Sequence, residues 1–111
     1  MADTVGVAKP NTIEYIYKSL VPEFNNIQIG AHFHSAPGKW EEKIQAAYNN
    51  GCKWYDSAVN GIGGCPMAED ELVGNIATED IISWCDAQNI PLSINRDAFA
   101  AAWQIAAEIF I

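Results

Sequence analysis

Two hydrophobic periods take turns along the chain. Ile13, Ile16, Tyr17 and Leu20 recur at i, i+3, i+4 and i+7, which predicts one stripe of an amphipathic helix beginning near Asn11. Ile27-Gln28-Ile29-Gly30-Ala31-His32-Phe33-His34 then predicts a short strand. Trp40, Ile44, Ala47 and Tyr48 form a second helical stripe, and Asn49-Asn50-Gly51 stops it, with a glycine available for a left-handed cap. Trp54-Tyr55-Asp56-Ser57-Ala58-Val59 predicts another strand, followed by a loop from Asn60 to about Asn75. Thr78 is the expected N-cap of a third helix running to about Gln88, with Glu79 and Asp80 in its first turn, where the helix dipole favours acids. Ile90-Pro91-Leu92-Ser93-Ile94 predicts a strand with its proline near the start, where a missing donor is tolerated. Asp97 is the expected cap of a last helix with Phe99, Trp103, Ala106 and Phe110 inward.

Strands alternating with helices at intervals of roughly 30 residues are the pattern of parallel βαβ units, so the fold class is α/β. The polar and unusual residues gather just after each strand: Asp3-Thr4, His32 and His34, the Cys65 loop, and Asn95. Doubly wound sheets and β/α-barrels both build their sites there. A complete barrel needs about 200 residues or more, and this chain supplies about half of one. No low-complexity segment or linker divides it, so residues 1–111 are expected to form one unit.

Composition narrows the function. Half of the 111 residues are apolar and 18% are charged, a globular balance. Fourteen acids against six Lys and Arg give a net charge of −8. That argues against nucleic acid and against an anionic membrane surface, both of which need basic side chains. No apolar run approaches the ~20 residues of a membrane span. Met1-Ala2-Asp3-Thr4 carries neither a basic segment nor an apolar signal core, and three scattered cysteines do not make a disulfide framework. A cytoplasmic, reducing setting is expected.

Two features carry chemistry. His32 and His34 stand two apart on one strand and so share a face. They are either a pair of metal ligands or one buried and one exposed histidine. Cys65 lies in Asn60-Gly61-Ile62-Gly63-Gly64-Cys65-Pro66, whose glycines suit a loop that closes over a ligand or a tight turn in which the thiol packs as a small apolar group. Cys52 and Cys85 read as core residues, and Glu69-Asp70-Glu71 as a solvated loop tip. Asn75 follows Gly74 and precedes a helix, so its amide either points into a site or caps that helix.

Taken together, Ala2-Asp3-Thr4-Val5-Gly6-Val7, Gly30-Ala31-His32-Phe33-His34, and Gly61-Ile62-Gly63-Gly64-Cys65-Pro66 through Gly74-Asn75-Ile76-Ala77-Thr78-Glu79-Asp80 resemble the 3-hydroxy-3-methylglutaryl-CoA lyases. The resemblance spans essentially the whole chain. It implies the C-terminal half of a (β/α)8 TIM barrel, about half of a pyruvate-carboxyltransferase-like catalytic domain, from the end of the fifth strand onward. It further implies that His32, His34 and Asn75 bind a divalent cation, Mg²⁺ or Mn²⁺. Cys65 matches the family's catalytic cysteine and Asp3 a catalytic aspartate, with His32 or Asp3 as base. The implied reaction is a retro-Claisen cleavage of an acyl-CoA substrate to acetoacetate and acetyl-CoA, a step of leucine breakdown and ketone-body formation. Where the family usually continues its histidine pair with Asp-Thr and Gly-Gln, this chain has Ser35-Ala36-Pro37-Gly38-Lys39-Trp40. The family's first-strand arginine and metal-binding aspartate have no match here. The expected partners are therefore the missing N-terminal half-barrel or further copies in a homo-oligomer. The alternatives are a non-catalytic half-barrel that self-associates and a related lyase for another acyl-CoA.

Overall fold

The computed structural model describes residues 1–64 and 73–110. Cys65 and the acidic run 69–71 lie outside the described residues. The order is β1 (Ala2–Asp3), α1 (Pro10–Glu23), β2 (His32–Ser35), α2 (Trp40–Asn49), a 3₁₀ turn (Val59–Gly61), β3 (Gly74–Asn75), α3 (Thr78–Ala87) and α4 (Arg96–Ile109).

Two helices, α1 and α2, follow their sequence patterns. α1 opens on Pro10 and sets Ile13 and Tyr17 into the core. α2 turns Ile44 and Ala47 inward, and its last carbonyls are taken up by the amides of Asn50, Gly51 and Cys52. Gly51 has φ +97°, and a Cβ there would stand 2.8 Å from Val21 Cγ1. Only glycine allows both the left-handed turn and that approach.

The strands depart from expectation. β1 and β2 are parallel, pairing Ala2 with His32 and Asp3 with Phe33, but β2 and β3 are antiparallel. The sheet is therefore mixed rather than wholly parallel. The strand predicted from Ile27 begins only at His32, because a strand lasts as long as its partner and β1 offers two residues. The run Trp54–Val59 contributes only isolated parallel bridges, Ala31 with Tyr55 and Ala58 with Ala77. Residues 90–94 form no strand. The Ile90 amide instead donates to Cys85 O, closing the end of α3.

Two caps also move. Ala77, not Thr78, is the N-cap of α3, and the Thr78 hydroxyl pairs with Ser57 Oγ at 2.8 Å. The cap of α4 is Asn95, whose Oδ1 accepts from the Ala98 amide at 3.0 Å, and Asp97 sits in the first turn. Of the inward stripe expected on α4 only Ala106 is buried, while Trp103 and Phe110 are exposed. Trp103 Nε1 reaches Asn60 Oδ1 at 2.6 Å and ties α4 to the 3₁₀ turn.

Ile13, Tyr17, Ala31, Phe33, Ile44, Ala47, Cys52, Ile76, Trp84 and Cys85 make one core, so Cys52 and Cys85 are core residues as expected. Burial raises the Cys85 thiol pKa, which keeps it protonated and unreactive. Tyr17 lies in the same core and donates to Gly30 O at 2.8 Å.

Candidate active site

The pleat of β2 sends Phe33 and Ser35 into the protein and leaves His32 and His34 together on the partly open face. Their ring centroids are 5.1 Å apart. The strands on either side complete the surroundings: β1 supplies Asp3, and β3 places Asn75 directly opposite His34.

Each imidazole is held through its Nδ1. His32 Nδ1 lies 3.2 Å from Asp56 Oδ2, and His34 Nδ1 lies 3.3 Å from Asp3 O. A carboxylate and a carbonyl only accept, so both Nδ1 atoms are the donors, and in the neutral ring such a tether leaves the lone pair on Nε2. This is the arrangement usual for metal-binding histidines, where an acceptor on one ring nitrogen fixes the tautomer and aims the other. The Asn75 amide nitrogen donates to Ile62 O at 2.8 Å. A carbonyl partner requires the amide NH₂ on that side, which leaves Oδ1 to turn the other way. Two imidazole nitrogens and an amide oxygen are a donor set compatible with Mg²⁺ or Mn²⁺. Among the described residues no three His, Cys, Asp or Glu side chains converge on one point.

Asp3 lies inside the protein. Its Oδ1 accepts from the Val7 amide at 3.0 Å, and its Oδ2 from the Ala8 amide at 3.1 Å and from Lys43 Nζ at 2.7 Å. Lys43 and Asp56 were not singled out in the sequence. For Lys43 a signal existed, because it fills position i+3 of the stripe that starts at Trp40, where an apolar residue belongs. Asn95, also noted after a presumed strand, only caps α4.

Beside Asn75 a cavity of about 240 Å³ opens between Ser35, Trp40, Asn60, Gly61 and Asp80. Partial burial, then the neighbouring Glu79, raises the Asp80 carboxyl pKa. The Asn75 side chain in its wall is packed against a glycine: at Gly63 φ is +92°, and a Cβ would stand 2.8 Å from Asn75 Nδ2.

A mixed sheet that carries a tethered histidine pair, with an asparagine in register across it, defines the class. A family model described as HMGL-like matches residues 1–105, and the chain belongs to that family. The (R)-citramalyl-CoA lyase of Chloroflexus aurantiacus is 31% identical over 92% of this chain and 32% of its own length. The hydroxymethylglutaryl-CoA lyase YngG of Bacillus subtilis is 32% identical over 93% of this chain and 35% of its own. An HMG-CoA lyase from Acinetobacter baumannii, solved with coenzyme A and 3-methylmalate, superposes with a TM-score of 0.81 at 34% identity, covering 96% of this chain and 35% of that one. The chain thus spans about a third of the length of these relatives. No helix among the described residues is long and apolar enough to cross a membrane.

Proposed function

We propose that residues 1–111 are the C-terminal half of a (β/α)8 lyase barrel and supply its metal-binding face. The reaction is cleavage of a carbon–carbon bond in a 3-hydroxyacyl-CoA, with 3-hydroxy-3-methylglutaryl-CoA the first substrate to test. The observation that carries this reading is the pair of Nδ1 tethers, which leaves both Nε2 atoms untethered on one face with Asn75 in register beside them.

His32, His34 and Asn75 would hold the cation, Mg²⁺ or Mn²⁺. When bound, a divalent cation supplies Lewis-acid polarisation of the substrate's hydroxyl and carbonyl oxygens. A lone pair given to a cation cannot also take a proton, so His32 acts in this reading as ligand and not as base. Asp3 is set for positioning, because taking a proton would break its contact with Lys43. Cys65 is the proton donor to the enolate carbon of the departing acetyl-CoA, acting as general acid.

A citramalyl-CoA lyase among the relatives, as similar as the hydroxymethylglutaryl-CoA lyase, supports a second reading in which the acyl group is another branched hydroxyacid. Turnover of the two CoA esters compared side by side decides between them. The metal assignment is tested by Mn²⁺ titration followed by electron paramagnetic resonance in the full-length protein. The His32→Ala, His34→Ala double variant should lose Mn²⁺, and unchanged affinity would refute the site.

A further inference from the structure

Behind the histidine pair lies a buried group that none of these roles uses. Lys43 reaches in from α2 and is only 3% exposed. Its ammonium stands 2.7 Å from Asp3 Oδ2, 2.9 Å from His34 O and 3.1 Å from Gly6 O. Three donors meet three acceptors, so nothing remains for a substrate. The Asp3 carboxylate is held in turn by the Val7 and Ala8 amides, and the Asp3 carbonyl receives His34 Nδ1. His34 is thus gripped twice: Lys43 fixes its backbone carbonyl, and Asp3, anchored by the same lysine, fixes its ring.

Stability alone does not account for this pair. Two charges taken out of water recover little net energy, and apolar residues of similar size often serve as well. We infer that Lys43 and Asp3 are positioning residues whose joint task is to hold the His34 ring with Nε2 toward the metal position. His32 is a built-in control, because its tether is Asp56 and does not involve the pair. The inference rests on the metal reading for its purpose, but the orientation of His34 can be measured without metal.

The test uses full-length protein labelled with ¹⁵N-histidine, metal-free, with His34 assigned by the signal lost in His34→Gln. Wild type should show His34 protonated at Nδ1 and bare at Nε2. In the Asp3→Asn, Lys43→Met double variant, which leaves no unpaired buried charge, His34 should become a mixture of tautomers while His32 keeps its own. Mn²⁺ affinity should fall roughly tenfold, the low end of what loss of a ligand's supporting contact costs. A wild-type His34 carrying its proton on Nε2 would overturn the inference. So would a folded double variant with the His34 tautomer or the Mn²⁺ affinity unchanged. Should that variant fail to fold, Lys43→Arg carries the test, since a guanidinium cannot meet the same three acceptors and the same loss at His34 is expected. Mn²⁺ affinity indifferent to both histidines would sink the metal reading alone, because the tautomer measurement still decides the role of Lys43.

Discussion

Replacing Gly63 with alanine tests the site at its tightest point. The residue has φ +92°, and the new methyl group would stand 2.8 Å from Asn75 Nδ2. The backbone cannot easily step aside, because Gly63 O accepts from the Asn75 amide at 3.0 Å. The Asn75 side chain must therefore give way and lose its bond to Ile62 O. Left-handed backbone costs a side-chain-bearing residue about 1–2 kcal/mol, and the lost hydrogen bond about 1 kcal/mol. Stiffening of the unfolded chain returns about 0.4–1 kcal/mol, so the net destabilisation should be about 1–2.5 kcal/mol by these terms. Gly38→Ala is the control: φ is +76°, but nothing lies within 4 Å of the added methyl group. It should show only the backbone part and leave Mn²⁺ affinity alone, whereas Gly63→Ala should weaken Mn²⁺ binding by displacing Asn75. Urea denaturation and Mn²⁺ titration read both effects. The reasoning fails if the two variants are equally stable and bind Mn²⁺ equally well.

Other outcomes follow from the same geometry. Cys65→Ala should lower turnover of the full-length enzyme by roughly 10²–10⁴ with KM little changed, and near-normal turnover would return the thiol to a structural role. Cys85→Ala should do the reverse, lowering the unfolding midpoint while sparing the rate, because Cys85 packs in the core. Ile44 is 1% exposed, so Ile44→Ala should cost roughly 2–5 kcal/mol in chemical unfolding. Hydrogen bonds from Arg96 hold the Asp86 carboxyl below the usual carboxylate range. That stabilisation is present above the ordinary carboxylate pKa and is lost as pH falls through the lowered one. Asp86→Asn should therefore be slightly less stable than wild type at neutral pH and equal to it in strong acid. A difference that persists in acid would show that the pair acts through packing instead.

How far the sequence reaches is set by the range of the interactions. α1 and α2 were legible because a helix closes its hydrogen bonds within four residues and its buried stripe recurs at a local period. Gly51 was legible as a stop for the same reason, since the left-handed turn belongs to that one residue. The pairing of His32 with His34 needed only the two-residue pleat of a strand, and the core placement of Cys85 needed only its place beside Trp84 on a helix stripe.

Strands were read less well, because a strand exists only against a partner chosen elsewhere in the chain. Residues 27–30 and 90–94 have strand composition but form no strand ladder among the described residues. Gly74–Asn75, with a glycine and an asparagine, became a strand because it met His34 and Ser35. The cap of α3 shifted by one residue where a competing partner was available, as Ser57 took the Thr78 hydroxyl.

The sequence by itself determined the amphipathic stripes of α1 and α2 and the shared face of the two histidines. Tertiary structure alone decided that His34 faces Asn75, that Asp56 and the Asp3 carbonyl fix the two tautomers, and that Lys43 spans 40 positions to reach Asp3. In sequence this lysine stands beside two glutamates but on the apolar stripe of α2, so its position hints at burial while its partners stay unrecorded. It is buried where the Asp3 carboxylate of β1, the His34 carbonyl of β2 and the Gly6 carbonyl of the loop after β1 meet the end of its side chain. No local pattern records that meeting, since its partners belong to segments far apart in the chain.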